Sequence, residues 1–310
     1  MAPVTTAIMD LVEPREVVSR AFSFLDIDPK GKWSHERRAK KFAKHFGPPP
    51  LTMASQWYDM CHTDIVGAKL TKREQKLGFR NFLVAHYFLW NYTRNADQLA
   101  DHFGICERYA RGAHVWDWVK HVAALEGKVI VWPKGLNSKN TEVNALSVDG
   151  VDKNTWERPT ETLPYETRNY TQKHAGGGSK WQIVLAAHHQ QCVHIYGPCR
   201  GGMSDKEMLT RSGVLARLRK GKLACADRGY IAKKFVNKVT WPNVHDSPEV
   251  NNHKSRIRLR HESFNGKMSK YSSMSQTWRH TIEQHGIAFR AVAVTIQYSM
   301  KDGNNRLFKA

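Results

Sequence analysis

Two aspartates each follow directly on a short apolar run. Asp149 comes after Leu146-Ser147-Val148, and Asp227 comes after Leu223-Ala224-Cys225-Ala226. If these runs are adjacent strands, both carboxylates lie at one end of a sheet. Carboxylate oxygens bind hard divalent cations, and paired cations can stabilise the attacking and leaving oxygens of a phosphodiester displacement. The alternative is that both residues only form turns, as acidic residues at strand ends often do.

A third acidic residue, Glu262, stands alone in a basic segment. Between Lys254 and Lys270 the chain carries six Lys or Arg residues and no other acid. One carboxylate beside cations that contact phosphate is the combination that a metal site on nucleic acid needs. Alternatively, Glu262 is only an intrahelical ion-pair partner of Arg258, four residues earlier.

The overall charge indicates a polyanionic partner. The 310 residues include 48 Lys and Arg against 28 Asp and Glu, which gives a formal net charge of +20. Nucleic acid is the simplest such partner, although a basic chain can also serve solubility or a membrane surface. Five cysteines without a C-x-x-C pair favour reduced thiols, and no apolar run has the length of a membrane span. We therefore expect a soluble intracellular protein without a membrane partner.

Alternating apolar runs predict a sheet that positions the two aspartates. The predicted elements are a strand from Ala145 to Val148, a hairpin of Lys180 to Ala187 with Cys192 to Tyr196, a helical run from Asp205 to Arg219, and a strand from Lys222 to Ala226. Asp205 occupies a reasonable N-cap position for the helical run, so we interpret it as a supporting residue rather than a ligand.

The region before this sheet is predicted to be helical. Leu77, Phe82, His86, Leu89 and Trp90 recur at near-helical spacing. Leu99, Ala100 and Phe103 share a second helix face, Gly104 permits a tight turn, and Ile105 anchors a further helix, as in a helix-turn-helix. The DNA-facing candidates on that last helix are Glu107, Arg108, Arg111 and His114. An ordinary helical hairpin has the same spacing.

Residues 1–70 are predicted to be a partly ordered N-terminal extension. They contain an amphipathic stretch from Pro14 to Phe24 and a basic cluster, Arg37-Arg38-Ala39-Lys40-Lys41, before the breaker Gly47-Pro48-Pro49-Pro50. The cluster is either a nuclear import signal or a solvated helix face.

Several short motifs, taken in order, resemble one family. The chain carries V-D-G-V-D, then G-P-C-R-G-G-M-S-D, A-D-R-G-Y and R-x-R-H-E-S-F-N-G-K, and Glu262 follows Asp227 by 35 positions. This order resembles the DDE superfamily endonuclease domain of PIF/Harbinger-like transposases and their bacterial insertion-sequence relatives. The resemblance runs from Phe79 to the C-terminus. One departure is Val151, where the family usually has threonine.

The resemblance implies a fold, a cofactor and site residues. The family's three catalytic, metal-binding acids fall on Asp149, Asp227 and Glu262, and its fold is an RNase H-like mixed α/β sheet with flanking helices. It implies two Mg²⁺ or Mn²⁺ ions that activate water for strand cleavage and then the 3′ hydroxyl for strand transfer. Arg258, Lys267 and Lys270 would contact DNA, although Lys270 could equally be a solvated lysine.

The resulting organisation has three parts. Residues 1–70 are the extension, 71–133 an all-helical helix-turn-helix DNA-binding region, and 134–310 the RNase H-like catalytic domain. The expected partners are double-stranded DNA at transposon ends and target, a second copy of the chain in a homo-oligomer, and an accessory DNA-binding protein. The expected location is the nucleus in a eukaryote and the cytoplasm in a bacterium.

Three rival interpretations stay open at this point. The first is a zinc site made from His188, His189, Cys192, His194 and Cys199, although Cys192 and Cys199 fit better as buried apolar residues. The second is a domesticated transposase that only binds DNA, and the third is a ribonuclease with the same metal site. The nuclease interpretation requires Asp149, Asp227 and Glu262 to meet. If the fold held them apart, only a basic, DNA-associated protein would remain.

Overall fold

The computed structural model describes residues 12–27, 33–92, 96–138, 143–156 and 170–303. It divides into two compact units. Unit 1 contains residues 1–129, 270–273 and 287–304, and unit 2 contains 130–269, 274–286 and 305–310. This division differs from the predicted boundaries at 70 and 133, because the first helices and the end of the last helix belong to one compact body.

Unit 1 is helical. Its first eight helices are α1 (Pro14–Phe24), α2 (His35–Phe46), α3 (Pro50–His62), α4 (Lys72–Asn91), α5 (Ala96–Phe103), α6 (Glu107–Arg111), α7 (Ala113–Ala124) and α8 (Glu126–Val129). The amphipathic stretch predicted from Pro14 to Phe24 is confirmed as α1. Helix α4 begins with a capping box, in which the Thr71 and Glu74 side chains each bind the other's backbone N–H.

The segment 33–62 contributes to the core of unit 1 rather than lying apart from it. Phe42 and Phe46 of α2 and Met53 and Met60 of α3 are buried. The basic cluster lies on α2, where Arg37 and Lys40 are exposed while Phe42 and Phe46 face inward. Periodic apolar residues therefore turn a basic segment into an amphipathic helix.

The predicted helix-turn-helix region has a different second helix from the one expected. Helices α5 and α6 flank Gly104, which adopts a positive φ of 53°, and Leu99 and Phe103 are buried as predicted. Helix α6, however, has only five residues and ends at Gly112, after which α7 begins. A side chain at Gly112 would meet the Arg108 carbonyl oxygen at 2.7 Å, so this break suits glycine.

Unit 2 is a mixed α/β body. Its elements are β1 (Asn144–Asn154), β2 (Tyr170–Thr171), β3 (Gly176–Ala186), β4 (Cys192–Arg200), α9 (Asp205–Arg211), β5 (Leu223–Cys225), β6 (Val239–Thr240) and α10 (Pro248–Ser269). Two more helices, α11 (Ser272–Ser275) and α12 (Ile282–Lys301), contain residues of both units.

Within the described residues, the sheet has six strands and is mixed. Its strand order is β2-β3-β1-β5-β6, and β4 pairs with β3. Strand β1 runs antiparallel to β3 and parallel to β5, and β5 runs parallel to β6. The core of the sheet includes Leu146, Val184 and Ala224 from three adjacent strands. The predicted β3–β4 hairpin is confirmed.

Two predicted boundaries in unit 2 are wrong. The first strand was predicted to end at Val148, but β1 continues to Asn154 because β3 pairs with it as far as Asn154. The helical run predicted from Asp205 to Arg219 stops at Arg211, since Gly213 takes a positive φ of 66° and a 3₁₀ turn follows at Val214–Arg217. None of the described helices combines the length and apolar character that a membrane crossing needs.

Candidate active site

Asp149 and Asp227 meet at the carboxyl end of a parallel strand pair. In the β1–β5 register, Ser147 lies opposite Cys225, and each aspartate comes two residues later. Strand β5 ends at Cys225 while β1 continues, so Asp149 lies where β1 has lost its neighbour on that side. As expected, the two aspartates follow adjacent strands, although Asp149 lies inside its strand rather than at its end.

Asp149 is a half-buried carboxylate held by two hydrogen bonds. The Gly150 N–H donates to Asp149 Oδ1 at 2.9 Å, and the Asn265 side-chain amide donates to Oδ2 at 3.0 Å. Burial raises the pKa of Asp149 to about 6, and the negative charge of Asp227 acts in the same direction. The Gly150 hydrogen bond and Arg258 partly oppose this rise in pKa. The surroundings of Asp149 therefore disfavour its charged form, and a bound cation would stabilise that form.

Asp227 starts a tight turn. Its Oδ1 accepts a hydrogen bond from the Gly229 N–H at 2.8 Å, which caps the 3₁₀ turn Arg228–Tyr230. A side chain at Gly229 would meet Asp227 Oδ1 at 3.0 Å and Asp205 Oδ2 at 3.3 Å. Glycine at this position leaves room for both carboxylates.

Asp205 is a third carboxylate at this place. Its Oδ1 forms an ion pair with Lys180 Nζ at 2.9 Å, and a side chain at Gly150 would meet the same Oδ1 at 2.6 Å. The Asp205 charge also contributes to the raised pKa of Asp149. The interpretation of Asp205 as the N-cap of the following helix is wrong, because Ser204 caps α9 by accepting from the Glu207 N–H. Asp205 is therefore available to the site.

Glu262 lies on α10, which packs on β1 and β5. His261 is buried and shares a 3.0 Å hydrogen bond with Ser147 of β1. Burial lowers the pKa of His261 to about 3, so it is neutral at physiological pH. Glu262 itself is exposed. It shares a helix face with Arg258 and Asn265, which lie four residues before and three residues after it.

The structure joins two of the three predicted acids more closely than the third. Across the described ranges, no group of three or more His, Cys, Asp or Glu side chains is close enough to hold a metal ion. Asp149 and Asp227 interact through their charges, and the residue of α10 that reaches Asp149 is Asn265. A complete three-ligand group with Glu262 is thus not formed in this structure.

Two neighbours of the aspartates, Lys180 and Asn265, escaped the sequence prediction, whereas Asp205 was predicted only as a supporting residue. Lys180 lies on β3 opposite Asp152 of β1, and Asn265 lies one turn beyond Glu262 on α10. The signal for Asn265 was its position three residues after Glu262, which places both on one helix face. Lys180 carried no such local signal, because its pairing with Asp205 depends on strand register and on the loop before α9.

The predicted DNA-binding residues lie on several elements. Arg108 is exposed on α6, and His114 is exposed on α7, where its ring stacks on Tyr109 at 4.5 Å. Arg111 ends α6, but its side chain lies outside the described residues. Lys267 lies in the last turn of α10, whereas Lys270 is exposed just beyond the end of that helix.

Three residues of the rival zinc site, Cys192, Cys199 and His188, have other environments. Cys192 and Cys199 are buried, as the simpler interpretation predicted. His188 is hydrogen-bonded to the Asn144 carbonyl oxygen at 3.0 Å and stacks on His253. His188 therefore links the turn after β3 to the start of β1 and packs on His253.

Comparison with known families agrees with this arrangement. The DDE superfamily endonuclease family matches residues 148–309, more than half of the chain. The chain belongs to the DDE superfamily endonucleases. The match begins next to Asp149 and includes Asp205, Asp227 and Glu262. No curated protein and no solved structure matched this chain significantly.

Proposed function

We propose that this protein is a DNA transposase of the PIF/Harbinger-like kind. It would cleave DNA strands at the ends of a transposable element and join the released 3′ hydroxyl to target DNA. The observation that carries the proposal is the position of Asp149 and Asp227, each two residues beyond a paired position at the carboxyl end of β1 and β5, inside the region that matches the DDE superfamily endonucleases. Burial and the nearby Asp227 charge both raise the pKa of Asp149 there. Carboxylates brought together at such a cost are typical of functional sites.

The donor set fits Mg²⁺ or Mn²⁺ in kind. These cations prefer carboxylate oxygen ligands, and Asp149 and Asp227 supply such ligands beside the third carboxylate, Asp205. We assign Asp149, Asp227 and Glu262 as the residues that hold two ions. When bound, the ions would polarise a phosphoryl oxygen and lower the pKa of a water molecule.

The residues around the acids have separate roles in this proposal. Asn265 orients Asp149 by donating to Oδ2, and Lys180 holds Asp205 through their ion pair. Arg258 lowers the pKa of Asp149 and so favours the charged carboxylate that a ligand must be. Positioning of this kind supplies most of what a protein contributes to phosphoryl transfer.

DNA contacts complete the proposal. Arg258, Lys267 and Lys270 would bind the backbone near the acids, and Arg108, Arg111 and His114 would bind duplex DNA as part of a helix-turn-helix. The formal net charge of +20 supports a polyanionic partner. We further propose an RNase H-like fold for unit 2, a homo-oligomer that pairs two DNA ends, an accessory DNA-binding protein, and action in the nucleus of a eukaryotic host or the cytoplasm of a bacterial one.

A plasmid nicking assay tests the activity. Wild-type protein is expected to nick supercoiled DNA in Mg²⁺ or Mn²⁺ and not in EDTA. Asp227→Asn should lower the rate by about 100-fold or more, because even outer-shell partners of a metal site contribute about 10–100-fold. Asp117→Asn is the matched control, since Asp117 is an exposed residue of α7. Equal nicking by wild type and Asp227→Asn would overturn the assignment.

A binding-only, domesticated transposase is the second candidate. It is favoured by the exposed position of Glu262 and by the lack of a complete three-ligand group among the described side chains. Wild-type protein that binds duplex DNA with a strong salt dependence but never nicks it, in either cation, would establish this candidate.

A further inference from the structure

A cavity of about 360 Å³ opens beside Asp149 in unit 2. It is lined by Asp149 to Asn154 of β1, by Lys173 and His174 before β3, by Asn265 and Ser269 of α10, and by Met274 and Ser275 of α11. The lining therefore includes a carboxylate of the candidate active site and Asn265, which orients it. It also includes residues that no part of the proposed cleavage chemistry uses.

Two lysines, Lys153 and Lys173, contribute cations to the cavity lining. Lys153 is only 6% exposed, and its Nζ donates to the Met274 carbonyl oxygen at 2.9 Å. Burial lowers the pKa of Lys153 to about 8, and the charge of the exposed Lys173, which also lines the cavity, acts in the same direction. An ammonium group has three donors, so an anion that enters the cavity gains charge-assisted hydrogen bonds from Lys153 and Lys173.

The remaining lining suits a base and a sugar. Val151 and Met274 are buried apolar residues, and a thioether packs well against an aromatic ring. Ser269 and Ser275 supply hydroxyls, and Asp152 supplies a carboxylate that can accept from an amino group. Phosphate-binding cations, apolar contacts and polar edge groups thus occur in one cavity.

The cavity size restricts the occupant. A volume of 360 Å³ is near the lower end of the range of about 300–1,000 Å³ that holds one small ligand. A DNA duplex is far too wide to enter it. An unpaired nucleotide fits, provided that the energy of unstacking is recovered by contacts inside.

We propose that this cavity binds one unpaired nucleotide of the DNA strand, next to the phosphate that lies at Asp149. The proposal rests on the proposed DNA-cleaving function, because Asp149 belongs to both sites. Lys153 and Lys173 bind the phosphate of this nucleotide, and its base packs on Met274. The cavity would thereby fix which phosphodiester bond reaches the carboxylates.

A fluorescence experiment without metal tests the proposal separately from cleavage. Full-length protein in EDTA is mixed with a short duplex that carries one unpaired 2-aminopurine at its 3′ end, or with a duplex that carries the same base in its paired interior. Binding should protect the terminal base from acrylamide quenching by about threefold or more, since such cavities bury most of a ligand's surface. The paired interior base should gain little protection.

Two variants locate the protection. Ser269→Trp fills the cavity from the exposed end of α10, and Lys173→Ala removes a phosphate contact, so both should abolish the protection. Lys173→Ala should also weaken binding of the unpaired-end duplex by about tenfold, the value of one charge-assisted hydrogen bond. Ala216→Trp and Lys220→Ala are the matched controls, because both residues are exposed outside the cavity.

The outcomes are distinguishable. Equal quenching of the terminal and interior bases in the wild-type complex would overturn the proposal, and so would full protection in both cavity variants. Binding of the interior-labelled duplex reports that each variant is folded. If neither variant folds, competition with thymidine monophosphate decides, since it should release the protected base from wild-type protein and failure to do so would overturn the proposal. Failure of the proposed cleavage would appear only in the plasmid nicking assay with metal.

Discussion

Among single residues, Asp149 couples the site to stability. Its pKa is about 6 in the folded protein, whereas an ordinary aspartate has a value of 3.8. The folded state therefore binds more protons than the unfolded chain between pH 4 and 6, so stability falls as the pH rises through that window. The destabilisation caused by ionising Asp149 is complete above about pH 6 and absent below about pH 4.

Asp149→Asn should consequently stabilise the protein at pH 8, because the amide cannot ionise. We expect a gain on the order of 1–3 kcal/mol in the free energy of unfolding, which shrinks toward zero at pH 4. Denaturant unfolding in EDTA at both pH values measures it. Asp152→Asn makes the same chemical change on the same strand and serves as control. A gain of equal size at pH 4 and pH 8 would contradict the role of ionisation.

Lys180→Met tests the ion pair with Asp205. Methionine keeps most of the side-chain volume but leaves the Asp205 carboxylate without its ammonium partner, next to Asp149 and Asp227. The free energy of unfolding should fall by about 1–3 kcal/mol, since breaking a partly buried charged pair leaves an uncompensated charge.

Lys180→Arg, which keeps the charge, should recover part of that loss in the same urea titration. A loss of equal size in both variants would mean that packing of the aliphatic chain, rather than its charge, is what Lys180 contributes.

Local pattern predicted some of the site residues and not others. Asp149 and Asp227 were predictable, because each follows an apolar run and strand ends bring such residues together. Asp205 was interpreted as a helix cap because aspartate is common at that position. The neighbouring Ser204 is an equally good cap, and the sequence alone does not choose between the two. The contact of Asn265 with Asp149 depends on how α10 docks through His261 and Ser147, which is a tertiary property.

At the scale of elements, the contact between helices α4 and α7 depends on a glycine. Gly78 of α4 lies against the buried indole of Trp118 in α7, and a side chain at Gly78 would come within 2.0 Å of Trp118 Cη2. Trp118 also stacks on Trp57, with ring centroids 6.2 Å apart, so it has little freedom to move away. The α4–α7 contact therefore requires glycine.

Gly78→Ala sets two effects against each other. Alanine gains about 1 kcal/mol in helix propensity over glycine. Overpacking typically costs about 1–3 kcal/mol, and a 2.0 Å approach lies far inside normal contact, so we expect a net loss of stability. Thermal unfolding checks this prediction.

Gly266→Ala in α10 is the control for that change, because nothing lies within 4 Å of its added side chain. It should raise the melting temperature. If both substitutions stabilise the protein, Trp118 can rearrange and the tight α4–α7 contact is not required.

Elements with strong local periodicity were the predictable ones. Helix α1 and the β3–β4 hairpin follow their apolar patterns. The break between α6 and α7 depends on Gly112 and the Arg108 carbonyl, and the end of α9 depends on Gly213. An isolated glycine is tolerated within many helices, so these two breaks could not be read from the pattern alone.

For the molecule as a whole, charge should dominate DNA affinity. A formal net charge of +20 predicts binding that weakens steeply as salt rises, through release of counterions from the phosphates. Arg108→Ala on α6 and Lys270→Ala after α10 each remove one exposed cation. Each should reduce the slope of log affinity against log salt by about one if that residue contacts phosphate.

Fluorescence anisotropy with a DNA duplex across a salt series measures these slopes. Lys220→Ala, which removes an exposed cation far along the chain from both elements, should leave the slope unchanged. An unchanged slope for Arg108→Ala would remove α6 from the DNA interface, and an unchanged slope for Lys270→Ala would remove the end of α10.

Strand β1 pairs with both β3 and β5 at Leu146 and Ser147, and with β3 only from Val148 onward. Its first half is thus anchored in the hydrophobic interior while its second half borders both the acids and the adjacent cavity. Adding a single residue between Ser147 and Val148 would reverse the facing of every later side chain on this strand. Such an insertion would disable the protein without altering one functional group, which makes the length of this strand as strict a requirement as the identity of its aspartate.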